Sequence, residues 1–218
     1  MKNTIPLFLV LMVACRVQVG DKEKTDNFKP SYKEIISSKP DTINFVEYFD
    51  STTNIYSNFK YGFSIKLPFD WDIDRGLSEH TVIRAHHEKN AATFFVNVIE
   101  PDINDSFSFS LWKYLDKNRD ELEFQYKNSM RELLNTSIYN YSVKKVYIDN
   151  HESLHSAFCY TLRHLNTEIQ MLGTMFQISN LPYLFTAGFH VPLIVYNVNP
   201  SEFDSLINGF HFNYRKPN

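Results

Sequence analysis

The chain has 218 residues, a formal net charge of −3 and a pI near 6.2; 43% of its residues are hydrophobic, 22% charged and 16% aromatic. That length suits one domain of roughly 100–200 residues with extensions, and a domain of this size buries about 70% of the surface its unfolded chain exposes. The charge balance excludes the clustered basic face on which nucleic-acid binding depends.

The N-terminus reads as an address. Lys2 supplies a positive start, and Ile5 to Ala14 give an apolar run of about ten residues, the length of a signal-peptide core. A transmembrane helix needs about 20 such residues, and Arg16 with Asp21 to Lys24 closes the run too soon. Leu11-Met12-Val13-Ala14-Cys15 resembles the lipobox of bacterial lipoproteins, in which a small residue precedes the cysteine that is acylated and becomes the mature N-terminus. The resemblance implies a signal peptide over 1–15, lipidation at Cys15, a membrane partner through that lipid anchor, and residence in the bacterial cell envelope. An ordinary signal peptide that happens to contain a cysteine is the other reading, and it would leave the protein secreted or periplasmic.

Residues 16–55 read as a polar spacer. They hold Pro30 and Pro40, carry many charges and show no sustained period, so they cannot bury enough apolar surface to order themselves. Ile43 to Phe49 are apolar enough to dock on the domain, which softens the boundary. The domain itself is placed at 56–214.

Tyr61, Phe63, Ile65 and Leu67 alternate with Gly62, Ser64 and Lys66, the period-two pattern of a half-buried strand that Pro68 ends. His80 to His87 and Ala92 to Pro101 form two more strands around the polar turn Glu88-Lys89-Asn90. Leu111, Leu115, Leu122, Tyr126, Met130 and Leu133 then fall near a 3.6 period, which predicts a helix with a core-facing stripe. Asp120 and Glu123 have capping-box spacing, so a break near Asn118 is expected. Strand patterns return at Tyr141 to Asp149, Leu154 to Leu165, Glu168 to Ser179 and Leu181 to Val191, with turns at Asn150 to Ser153, His164 to Glu168 and Asn180 to Pro182. A last helix spans Pro200 to Asn208 and presents Phe203, Leu206 and Ile207 at helical spacing. Connections this short favour antiparallel hairpins. The fold class is α+β: an antiparallel sheet of about six to seven strands flanked by helices.

Tyr61-Gly62-Phe63-Ser64-Ile65, followed by Leu67-Pro68 and Trp71, is similar to the opening signature of the PsbP-like superfamily, which shares its fold with the Ran-binding Mog family. Tyr183 to Phe189 resembles that family's last long strand, and Glu202-Phe203 through Gly209-Phe210-His211-Phe212 its closing helix and final aromatic strand. The resemblance covers about 56–214 and implies an α/β/α sandwich. Relatives usually carry a glycine in the hairpin near residue 150, where this chain has Asn150-His151-Glu152. The matching residues are packing residues, so fold carries over and function does not.

Candidate chemistry is sparse. Six glycines lie far apart, which removes phosphate-cradling loops and with them a nucleotide partner. No G-x-S-x-G, H-E-x-x-H or C-x-x-C motif occurs. Asp70, Asp72 and Asp74 stand at alternate positions as in the opening of a calcium loop, but Arg75 and Thr81 occupy the positions where that loop needs glycine and glutamate. The triplet is either a solvated strand edge or a weak divalent-ion site. His86 and His87 point to opposite faces of a strand, so one ion cannot easily take both, and a turn or surface role is expected. His155, beside Cys159 by alternation, and His190, beside Thr186, have similarly weak cases. If Cys15 is acylated, Cys159 has no disulfide partner and reads as a buried hydrophobe. No cofactor is implied, and no ligand-binding residue can be assigned.

The aromatic excess, 19 Phe, 13 Tyr and 2 Trp, serves either core packing or an interface or ligand cleft. Two expectations follow: a lipid-anchored, non-enzymatic envelope module working by protein contact as an accessory or assembly factor, or a small-ligand or lipid carrier with a cleft between sheet and helices. An unrecognised hydrolase is a distant third. A large apolar cavity marks the carrier, and exposed aromatics on a filled core mark the contact module.

Overall fold

The computed structural model describes residues 46–74, 78, 80–100, 110–134, 136–164 and 167–212. The signal-like leader, Cys15, the spacer up to residue 45 and residues 213–214 of the expected domain span lie outside the described residues. Among the described residues, eleven strands and three α-helices follow in chain order. They are β1 (Glu47–Asp50), β2 (Ile55–Asn58), β3 (Phe63–Lys66), β4 (Asp72–Asp74), β5 (Thr81–His87) and β6 (Ala92–Ile99), then helix α1 (Leu111–Leu134). β7 (Ile138–Ile148), β8 (His151–His164), β9 (Thr167–Asn180) and β10 (Tyr183–Pro192) come next, then α2 (Leu193–Val198), α3 (Pro200–Asn208) and β11 (Phe210–Phe212).

The strands form two antiparallel sheets, one of four strands in the order β1-β2-β3-β11 and one of seven in the order β4-β5-β6-β10-β9-β8-β7. The α+β class and the hairpin connections therefore hold. The seven-stranded sheet meets the expected size, and a second, smaller sheet accompanies it: the segment Phe63 to Lys66, the opening of the domain signature, belongs to the small sheet with the closing aromatic strand. β1 also lies within the span read as spacer, so ordered pairing reaches back to Glu47. Four-residue strands give a period too short to register as separate elements.

Alternation along the central strands sends residues to two differently covered faces. Phe94, Val96, Val98, Phe185, Ala187 and Phe189 pack under the small sheet, against Tyr56, Phe63, Ile65, Phe210 and Phe212, and against Phe203, Leu206 and Ile207 of α3. Phe63 stacks on Phe210 at 5.1 Å between ring centroids and meets Phe185 edge-on at 5.6 Å. On the opposite face, Phe95, Phe158, Tyr160, Met171 and Met175 pack with Tyr126 and Met130 of α1, while Leu111, Leu115 and Leu122 close over Leu154. The helical stripe is thus as spaced, with Leu133's side chain outside the described residues. The expected break is a kink within one helix at Asn118 (φ −131°, ψ 27°), whose side-chain amide donates to the Tyr114 carbonyl at 3.0 Å. A short polar side chain competing for the carbonyl of the preceding turn bends a helix in this way.

Two turns explain themselves chemically. Glu88 to Asn90 form a 3-10 turn, closed by Ala91 in the left-handed region (φ 48°). In the β7–β8 hairpin, Asp149 (φ 45°) and Asn150 (φ 66°) are both left-handed, the two-residue loop that matches strand twist and favours Asn and Asp as well as glycine. The absent glycine near 150 is therefore replaced by Asn in kind. Asp149 also accepts the Phe212 backbone N–H at 2.7 Å, which fastens the hairpin to the small sheet.

Candidate functional site

The two charged motifs singled out from the sequence turn out to be neighbours. β4 pairs with β5 in a register that sets Asp72 opposite His86 and Asp74 opposite Arg84. Because the pattern is alternating, Trp71 and Ile73 turn into the core while these side chains share the outer face. Arg84 grips Asp74 with two nitrogens, Nε to Oδ1 at 2.8 Å and Nη2 to Oδ2. His86 lies 3.8 Å from Asp74 and 4.0 Å from Asp72.

His87 turns the other way, as strand geometry requires. It is nearly buried beside Trp71, at 6.1 Å between ring centroids. Its Nδ1 accepts the Asn90 N–H at 3.2 Å, which leaves Nε2 to donate to Asp70 at 3.1 Å. Each carboxylate of the triplet thus faces a base on the neighbouring strand, and the three do not converge on one point. Among the described residues no group of three or more His, Cys, Asp or Glu is placed to hold a metal ion. What the arrangement does chemically is secure a three-residue edge strand, whose backbone pairing alone is short.

His190 and His155 pack into the two faces of the large sheet. His190 is fully buried on the α1 face, its Nδ1 2.9 Å from the Tyr160 hydroxyl, and burial pushes its pKa down to about 4. His155 stacks on Phe176 at 4.2 Å on the other face, and burial, then the charge of Lys144, brings it to about 4 as well. Cys159 is buried and its thiol is pushed upward by burial, which disfavours the reactive thiolate.

Sequence reasoning missed a buried polar row across the α1 face. Thr81 donates to Asn97 Oδ1 at 2.8 Å, Asn97 pairs across from Thr186, and Thr186 pairs across from Gln177. Asn97, Thr186 and Gln177 are all buried, and Asn97 Nδ2, Thr186 Oγ1 and, farther along β10, His190 Nε2 have no hydrogen-bond partner. The signal available was the interruption of two apolar strands by Asn97 and Thr186, visible only once their pairing is known.

The aromatic excess is largely core: Tyr56, Tyr160, Phe63, Phe94, Phe158, Phe185, Phe189, Phe203 and Phe210 are all fully enclosed. An open recess of about 410 Å³ lies between β9 and α2, lined by Glu168, Ile169, Gln170, Leu193, Ile194 and Asn197. Its mixed walls and wide mouth differ from the enclosed apolar cavity of a carrier. At the long edge strand β7, Tyr147 is 64% exposed and meets Trp112 of α1 edge-on at 4.7 Å, with Lys145 over the indole at 5.8 Å. Arg119 donates to the Val143 carbonyl on the same edge at 3.2 Å, and Lys145 pairs with Asp116 at 2.7 Å.

This architecture is PsbP-like. The solution structure of cyanobacterial PsbP (CyanoP) from Synechocystis sp. PCC 6803 matches with a TM-score of 0.54 at 15% identity, covering 72% of this chain and 91% of that one. A crystal structure from Bacteroides thetaiotaomicron VPI-5482 gives 0.44 at 15% identity, covering 71% of this chain and 46% of that one. LpqN, involved in cell envelope biogenesis of Mycobacterium tuberculosis, gives 0.40 at 6%, covering 69% and 83%. No family model matches the sequence, and no curated protein matches it. At 15% identity the cyanobacterial match speaks for fold alone. No helix among the described residues is long and apolar enough to cross a membrane.

Proposed function

We propose that this protein is a lipid-anchored, non-enzymatic component of the bacterial cell envelope, with a PsbP-like domain that acts by protein contact as an accessory or assembly factor. The leader supports the anchor: a short apolar run ends in Ala14-Cys15 and gives way to a polar spacer. The observation that carries the contact role is the Trp112–Tyr147 pair. Two large aromatics with polar tips sit at the surface of a filled core, beside the longest exposed strand edge, ringed by Lys145 and Arg119. Interface hot spots are built from this combination of Trp, Tyr and Arg.

Crosslinking in native membranes, followed by mass spectrometry, tests the role. A discrete protein adduct is expected, with a yield that falls several-fold in Tyr147→Ser. The carrier reading draws on the recess between β9 and α2, whose rim exposes Ile194. Recovery of a co-purifying small molecule with no protein adduct would favour it and sink the contact role.

A further inference from the structure

Three exposed apolar side chains lie on Val46, the first described residue after Cys15, and on two turns that a tyrosine pair links. Val46 is 46% exposed and Phe59 54%, and they are joined by a backbone hydrogen bond from Phe59 N–H to the Val46 carbonyl at 2.7 Å. Leu181, 56% exposed, caps the β9–β10 turn. The β2–β3 turn carrying Phe59 reaches that second turn through Tyr61, which packs edge-on against Tyr183 at 5.2 Å.

Behind the apolar points stands a collar of amphipathic side chains. Tyr61 donates its hydroxyl to Glu100 at 2.8 Å, and Lys60 lies over the Tyr61 ring at 4.7 Å while bonding both the Tyr61 hydroxyl and Glu100. Apolar tips beside tyrosines and a lysine whose ammonium lies over a ring form the pattern of a membrane–water interface, where rings sit at headgroup depth and lysines reach outward. The Lys60–Glu100 pair leaves the collar with no net charge to repel a bilayer.

We infer that this tip, built on Val46, Phe59 and Leu181, rests in the interfacial layer of the membrane that holds the lipid anchor. The inference rests on the anchoring proposed above. Residues 16–45 reach at most about 100 Å when fully extended, so acylation at Cys15 keeps the tip within that distance of the bilayer. A tethered contact of this kind needs little affinity of its own, because the anchor sets a high local concentration. Seating this end also fixes the domain's orientation on the membrane.

The test uses the full chain in native membranes, with the photo-reactive residue p-benzoylphenylalanine placed at position 59 or, as a control, at position 124, where Phe124 is 66% exposed on α1. Irradiation should add a phospholipid mass at position 59 at least several-fold more often than at 124. A protein adduct at 59, no adduct there, or equal lipid labelling at both positions would overturn the inference. The intact mass of the same sample reads the anchor separately. Acyl chains on Cys15 with no lipid at position 59 defeat the tip alone, whereas their absence defeats the anchor and the tip with it.

Discussion

The two faces of the seven-stranded sheet are filled by different chemistry. Under the small sheet and α3 the packing is rings on rings, with Phe63, Phe185, Phe210 and Phe212 meeting at centroid distances of 5.0–6.2 Å. Under α1 the packing is more mixed: three methionines, a kinked helix, a buried row of Asn97, Thr186 and Gln177, and His190 farther along the same face, with Asn97 Nδ2, Thr186 Oγ1 and His190 Nε2 lacking a partner. A buried polar group without a hydrogen bond costs about 1–3 kcal/mol. His155 Nε2 and Thr174 Oγ1 lack a partner on the first face as well, so the faces differ chiefly in their apolar packing, and the ring-packed face is expected to carry the larger share of the stability.

That division can be broken from the strong side first. Phe63→Ala removes a ring that meets three other aromatics, Tyr56, Phe185 and Phe210, and should destabilise by about 3–5 kcal/mol, measured by urea unfolding. A loss below about 1 kcal/mol would mean that the ring-packed face is not the stable one.

Acid should act through the α1 face. His190 has a folded pKa of about 4 against 6.5 when unfolded, so between those values the unfolded state binds a proton that the folded state refuses. Stability should thus be complete above about pH 6.5 and fall as pH drops toward 4, by roughly 3 kcal/mol in all. His155 adds to the loss in the same direction, less strongly because it is partly exposed. In His190→Leu the slope should flatten over this window, and an unchanged slope would contradict the assignment.

Smaller effects follow on the α1 face of β10. A Cβ on Gly188 would lie 2.4 Å from the Thr174 backbone oxygen and 3.1 Å from the Phe95 ring, so Gly188→Ala should cost about 1–3 kcal/mol in thermal unfolding. Thr186→Val replaces the partnerless hydroxyl by a methyl of the same shape. It should leave stability unchanged or raise it by up to about 1 kcal/mol, and a clear loss would show that the hydroxyl has a role.

The sequence exposed the long elements because their periods are sustained. Helix α3 begins and ends where Pro200 and Gly209 mark it, and α1 carries its stripe from Leu111 to Met130. The division into two sheets was hidden, since Phe63 and Ile65 alternate identically whichever sheet they join. Charge pairing across β4 and β5 was hidden for a related reason. Asp70, Asp72 and Asp74 invite a metal reading on their own, and only the register with Arg84, His86 and His87 supplies their partners. The tip and the Trp112–Tyr147 edge depend on exposure, which one-dimensional periodicity does not encode: Phe59 and Phe63 are the same residue type four positions apart, one half exposed and the other enclosed.

Anchoring is the claim on which localisation, partner access and the seated tip all depend, and it turns on one side chain. Detergent phase partitioning of the full-length parent beside Cys15→Ala tests it most directly. The account predicts that the parent enters the detergent phase and Cys15→Ala moves to the aqueous phase. A Cys15→Ala protein that stays with the detergent as the parent does would contradict it.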